Sequence, residues 1–191
     1  GVVHEEFHGR AVTDHGGLVS MAQLWVNLPA THKMTPPRYQ PILARDIPVI
    51  ERDGARVRVI AGSWRDRDGS ETRGPAATFS PLATWDVALE SGAMFDADLP
   101  EGWTALVAVL SGDVVIDRQQ VTVSQVAVLS RAGETVRLGA GADGARLLVL
   151  AGEPIDEPIV AYGPFVMNTR DEIRAAIADH AAGRMGTLLP R

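Results

Sequence analysis

Cysteine is absent from the chain, which excludes disulfides, thiolate metal sites and cysteine nucleophiles. No apolar run approaches the roughly 20 residues of a membrane-spanning helix, and no charged-then-apolar leader stands at the start. We therefore expect a cytoplasmic protein with no membrane partner. An excess of positive charge is also missing. With 24 acidic residues against 18 basic ones, the formal charge is -6, which argues against the dense basic face that direct nucleic-acid binding needs. Histidine is absent between His32 and His180, so imidazole chemistry has no place in the long middle of the chain. There is no initiator methionine either, and Gly1 reads as an internal position of something longer.

The chain does have enough apolar material to fold around a core. Its 191 residues are 46% hydrophobic, sufficient for one large domain or two compact ones. Nineteen glycines and twelve prolines, spread rather than clustered, suit many short strands better than a few long helices. The expected class is mostly β.

Four of the five histidines lie in the first forty residues. If residues 1–8 are extended, His4, Glu6 and His8 share one face and Val3, Glu5 and Phe7 the other. His4 and Glu6 can then converge on a single ion. His8 lies about 13 Å along the strand from His4, which strains any three-ligand site made by this segment alone. Further ligands have to come from elsewhere.

The segment from Gly9 to Gly17 reads as a turn. Leu18 to Leu28 reads as a long strand with bulk on both faces, Leu24, Val26 and Leu28 on one and Gln23, Trp25 and Asn27 on the other, so both faces should be covered. Pro29 ends it, and further prolines keep the next stretch irregular. From Ala55 onward, strand signals recur about every ten residues, as in a sandwich or barrel. They cover Val57–Gly62, Thr84–Leu89, Thr104–Leu110, Val114–Ile116, Gln125–Leu129, Thr135–Leu138 and Arg146–Leu150. Ser111-Gly112-Asp113 reads as a hairpin turn. Gly139 to Gly144 reads as a tight glycine-rich turn, since neither a helix pattern nor a lysine follows to make it a phosphate loop. Thr169 with Glu172 fits a capping box, followed by Ile173, Ala176, Ile177, His180 and Ala181 at helical spacing and by Gly183 as a stop.

His4-x-Glu6, the run Gln23 to Pro29, Lys33-Met34 with Pro37-x-Tyr39-Gln40, and Glu157-Pro158 through Gly163 to Thr169 together resemble the pirin family of the cupin superfamily. The resemblance runs from the first residues to Gly186. It implies an all-β fold of cupin-type β-barrel or jelly-roll form, namely the second barrel of a bicupin plus the end of the first, with one C-terminal helix. Residues 1–29 would be the end of the N-terminal cupin barrel and carry the metal motif. Residues 30–54 would cross between barrels, 55–165 would form a metal-free C-terminal barrel, and 166–186 the helix.

In the family the first barrel also contributes an upstream His-x-His pair, which this chain lacks. His4 and Glu6 match the latter two members of that set of three histidines and one glutamate. Glu5, Phe7 and His8 depart from the family pattern, which favours a small residue at 5 and Met-Pro at 7 and 8. The implied cofactor is a divalent metal, Fe(II), completed by histidines from outside the chain.

The resemblance carries two functional expectations. One is a quercetin (flavonol) 2,3-dioxygenase-type oxygenase acting on a flavonol-like molecule and O2, with Glu6 as a metal ligand that also takes the hydroxyl proton. The alternative is a metal- or redox-responsive regulatory protein that binds a transcription factor or metabolic enzyme without turnover. His8, His15 and His32 read as loop histidines and His180 as an interfacial helix residue. Gln23, Trp25 and Asn27 face either the site or a packing interface. Lys33 and Arg38 either steer an anionic ligand or are simply solvated.

Overall fold

The computed structural model describes residues 1–188, which fall into two units: residues 40–155, and residues 1–39 with the chain from 156 onward. The first of these carries ten strands. They are β1 (Val49–Arg52), β2 (Ala55–Ala61), β3 (Ser63–Arg65), β4 (Glu71–Arg73), β5 (Leu82–Leu89), β6 (Met94–Asp98), β7 (Thr104–Ile116), β8 (Gln119–Thr122), β9 (Val126–Val128) and β10 (Thr135–Gly152). The main antiparallel sheet has the order β1-β2-β5-β10-β7-β8, with β6 also paired to β10 and β9 to β7; β3 and β4 form a separate hairpin. Among the described residues the sheet does not close into a hydrogen-bonded ring. The arrangement is the two-walled jelly roll of a cupin.

Period-two alternation explains why these residues form walls around one core. On β5, Ala83, Trp85, Val87 and Leu89 point inward, facing Val57 and Val59 from β2 and Val149 from β10, all buried. At one end Trp64 stacks on Phe95 at 5.5 Å and meets Trp85 edge-on at 4.9 Å. This aromatic cluster bolts the β3–β4 hairpin to the barrel interior.

Two expectations are corrected here. Ser111-Gly112-Asp113 does not turn a hairpin, because β7 runs unbroken for 13 residues; nor does Gly139–Gly144 turn one, because β10 runs for 18. The glycines instead make bulges. Between the pairs Ala140–Val114 and Ala145–Gly112, residues 141–144 of β10 stand opposite Asp113 alone. Gly112 and Gly144 both have φ of +71°, and a Cβ on Gly112 would lie 2.1 Å from the Gly144 carbonyl oxygen. Only glycine fits that crossing. The bulge lets one strand serve both walls: Ala145–Gly152 pairs with β5, and Thr135–Gly139 with β6.

The expected crossover at 30–54 contains β1, paired to β2 from Val49 opposite Arg58 to Arg52 opposite Ala55, so part of that stretch belongs to the sheet. This unit begins at Gln40 and ends at Ile155.

In the other unit, helix α1 (Arg10–His15) occupies part of the expected turn at 9–17. Leu18–Leu28 forms no strand, and its faces are open: Trp25 is 68% exposed, Met21 72% and Leu18 99%. No neighbouring strand among the described residues pairs with it. A β-ladder needs two partners. Strands β11 (Val160–Tyr162) and β12 (Phe165–Met167) form a hairpin, against which α2 (Arg170–Ala181) packs.

The expected capping box is present. Thr169 Oγ1 accepts from the Glu172 N–H at 3.2 Å, and Glu172 Oε2 accepts from the Thr169 N–H at 2.8 Å. Past the helix, Gly183 takes a positive φ of 72°. Among the described residues no helix is long and apolar enough to cross a membrane.

Candidate metal centre

Residues 1–8 form neither helix nor strand and are anchored by the Val3 N–H donating to the Met185 carbonyl at 3.0 Å. The His4 and Glu6 side chains approach each other there. His4 Nδ1 lies 4.0 Å from Glu6 Oε1, with the two side chains 66% and 52% exposed. Gln23 Nε2 donates to the same Glu6 oxygen at 3.0 Å, so a residue seventeen positions on holds the carboxylate in place. Imidazole and carboxylate are the donors that suit divalent iron and its neighbours. With metal–ligand bonds of about 2.0–2.2 Å, two ligands on one ion sit closer than these atoms do, a gap that small side-chain rotations close.

The pair therefore offers two donors of the kind a divalent metal takes. Among the described residues no group of three or more His, Cys, Asp or Glu side chains could hold an ion.

The remaining histidines do not join it. His8 is exposed, and its main-chain carbonyl accepts a long 3.5 Å bond from Thr13 Oγ1. His15 ends α1. His32 Nδ1 lies 3.0 Å from Thr31 Oγ1, and the His180 ring meets Phe165 edge-on at 6.0 Å. Lys33 donates to Asn27 Oδ1 at 2.6 Å, which ties it to the Gln23–Pro29 run.

Glu157 has a role that sequence patterning did not assign. Its Oε2 accepts from the Ala30 N–H at 2.7 Å and from Asn168 Nδ2 at 2.9 Å, and Asn168 Nδ2 also reaches the Pro158 carbonyl at 3.0 Å. One carboxylate thus joins the residue after Pro29 to the segment that starts α2. Its only sequence signal was membership of the Glu157-Pro158 motif.

The barrel of residues 40–155 has a different chemistry. Its one buried charged side chain among the described residues is Asp86, 6% exposed and pointing away from the interior. Arg146 donates to both of its oxygens, at 3.1 and 2.9 Å, and Arg58 to one at 3.2 Å. Burial alone pushes the Asp86 carboxyl up, but the hydrogen bonds and charges of Arg146 and Arg58 outweigh it and hold the group below its ordinary value. Fully engaged by two arginines, Asp86 is a structural ion and not a free ligand.

The family model for the pirin C-terminal cupin domain matches residues 84–186, more than half of the chain. A Pseudomonas aeruginosa protein provisionally named quercetin 2,3-dioxygenase is 48% identical over 187 residues, covering 96% of this chain and 63% of its own length. Rat pirin is 35% identical over 191 residues, covering 97% and 62% respectively. The crystal structure of a quercetin 2,3-dioxygenase from Acinetobacter baumannii superposes with a TM-score of 0.78 at 46% identity, over 86% of this chain and 56% of that one. The chain thus spans less than two thirds of the length of these relatives. With the cupin wall, the capping-box helix and the family match all in agreement, this chain belongs to the pirin family.

Proposed function

We propose that residues 1–29 close an N-terminal cupin barrel in which His4 and Glu6 hold a divalent metal, Fe(II), with the remaining ligands supplied by histidines from the rest of the longer protein. Residues 30–54 then lead from that barrel to the C-terminal, metal-free one, whose wall they enter at β1. The observation that carries this reading is the convergence of His4 Nδ1 and Glu6 Oε1, with Gln23 fixing the shared oxygen. A second support is the exposure of apolar residues that have no reason to face water. Val19, Met21, Leu24 and Trp25 are each more than 40% exposed in a segment that, among the described residues, has no ladder partner.

The activity this site supports best is oxidative opening of a quercetin-type flavonol with O2, carried out in the cytoplasm, where iron stays ferrous. A bound divalent iron supplies Lewis acidity toward the flavonol hydroxyl and redox capacity toward O2. The chain's own residues do the rest. His4 ligates through a ring nitrogen and Glu6 through its carboxylate. Glu6 also accepts the proton of the 3-hydroxyl at Oε2, the oxygen that Gln23 leaves open.

The test uses full-length protein loaded with iron under anaerobic conditions, with oxygen uptake followed in the presence of quercetin. Wild type consumes oxygen, and His4→Ala and Glu6→Ala do not. Uptake that survives both substitutions removes this pair from catalysis. Stoichiometric iron without flavonol turnover, together with a captured transcription factor or metabolic enzyme, favours a regulatory role instead.

A further inference from the structure

The barrel of residues 40–155 contains a cavity of about 920 Å³ between the β3–β4 hairpin, the segment leading into β5, and the stretch from Asp98 to Trp103. Phe79, Trp85 and Trp103 are among its walls. The register Ser63–Arg73 and Arg65–Glu71 puts these four residues on one face of the hairpin and Trp64 on the other. Trp64, 3% exposed, is stacked in the aromatic cluster, so the hairpin presents Arg65 and Arg73 from a fixed base. Both arginines line the cavity, and neither forms an ion pair within the described residues.

Glu71, Asp98 and Glu134 add carboxylate acceptors at the rim, Asp98 already engaged by Thr135 Oγ1 at 2.7 Å.

We propose that this cavity is a second small-molecule site, separate from the metal centre, and that its ligand class is a hydroxylated aromatic carboxylate. Two open guanidinium groups suit a carboxylate, which each can bind in a forked geometry. The aromatic walls suit a flat ring. The rim carboxylates accept from ring hydroxyls, and with the guanidinium donors they make a mixed donor–acceptor set of the kind that gives a pocket specificity. A mineral anion has no ring to bury against the aromatic walls. A neutral phenol leaves both arginines without a partner.

Calorimetric titration of full-length protein with 3,4-dihydroxybenzoate tests this, with catechol and inorganic phosphate as comparators. Saturable binding to one site is expected, weakened about tenfold or more in the Arg65→Gln/Arg73→Gln double variant and by a similar factor when catechol replaces the acid. His4→Ala, which disables the metal centre, leaves this binding unchanged. No saturable binding, equal affinity in the double variant, phosphate binding as tight as the aromatic acid, or loss of binding in His4→Ala would each overturn the proposal. The last outcome would assign the ligand to the metal site.

Discussion

Replacing Asp86 by Asn should destabilise the barrel by about 2–3 kcal/mol at neutral pH. The carboxylate is 6% exposed and accepts three hydrogen bonds from guanidinium groups. Each hydrogen bond to a charged group contributes about 1.5–3 kcal/mol, and breaking a buried ion pair by removing one partner costs about 3–5 kcal/mol. Arg146 and Arg58 are 50% and 23% exposed, so both recover water when the charge is lost, which places the effect at the lower end.

Asn keeps the shape of Asp but turns an amide N–H₂ toward the guanidiniums, so packing changes little and electrostatics change much. Urea unfolding followed by tryptophan fluorescence reads the result as a midpoint lowered by about 1 M with the slope unchanged. The pH dependence gives an independent check. Because the folded-state pKa of Asp86 is depressed, the stability it supplies is complete above its unfolded value of about 3.9 and is lost as pH falls through the folded value. The gap between wild type and Asp86→Asn should therefore be full at pH 7 and narrow below about pH 4. Equal midpoints at pH 7, or a gap that holds constant into acid, would refute this assignment.

Gln23→Ala should leave the barrel of residues 40–155 untouched but weaken metal binding of the full-length protein by about 10–100-fold, read by competition with a chelator, since Gln23 orients Glu6. Thr169→Ala removes half of the capping box and should cost about 1 kcal/mol, seen as faster amide exchange in the first turn of α2. Gly112→Ala drives a methyl group against the Gly144 carbonyl and should cost at least about 2 kcal/mol, read by thermal unfolding. Gly133→Ala is the control: its φ is +95° with nothing within 4 Å, so it carries backbone strain without a clash and should cost less.

Features written in local chemistry were the legible ones. Thr169 and Glu172 announced α2 because a capping box is a short-range bond pattern. Trp85, Val87 and Leu89 announced β5 because period-two alternation on a wall needs no knowledge of the partner strand. Gly112 and Gly144 read as turn residues, the first of a hairpin and the second of a tight glycine-rich turn, because a turn and a bulge ask the same thing of the backbone, a positive φ without a Cβ. Only the neighbouring strand decides between them.

The β3–β4 hairpin escaped notice because three residues carry too little periodicity to register. For Leu18–Leu28 the sequence describes a strand that the described residues do not pair, since pairing is a property of two segments and local composition describes only one of them. At the candidate metal centre, the approach of His4 to Glu6 was legible from their spacing, whereas the contact of Gln23 with Glu6 depends on the chain folding back across seventeen residues, which no local pattern encodes.

The most direct measurement is the Fe(II) stoichiometry of full-length protein, determined anaerobically for wild type, His4→Ala and Glu6→Ala. A metal held by this pair predicts one equivalent in wild type and its loss from both variants, with the fold of the C-terminal barrel unchanged in each. Iron retained in full by both variants would contradict the central claim that His4 and Glu6 form half of the metal site.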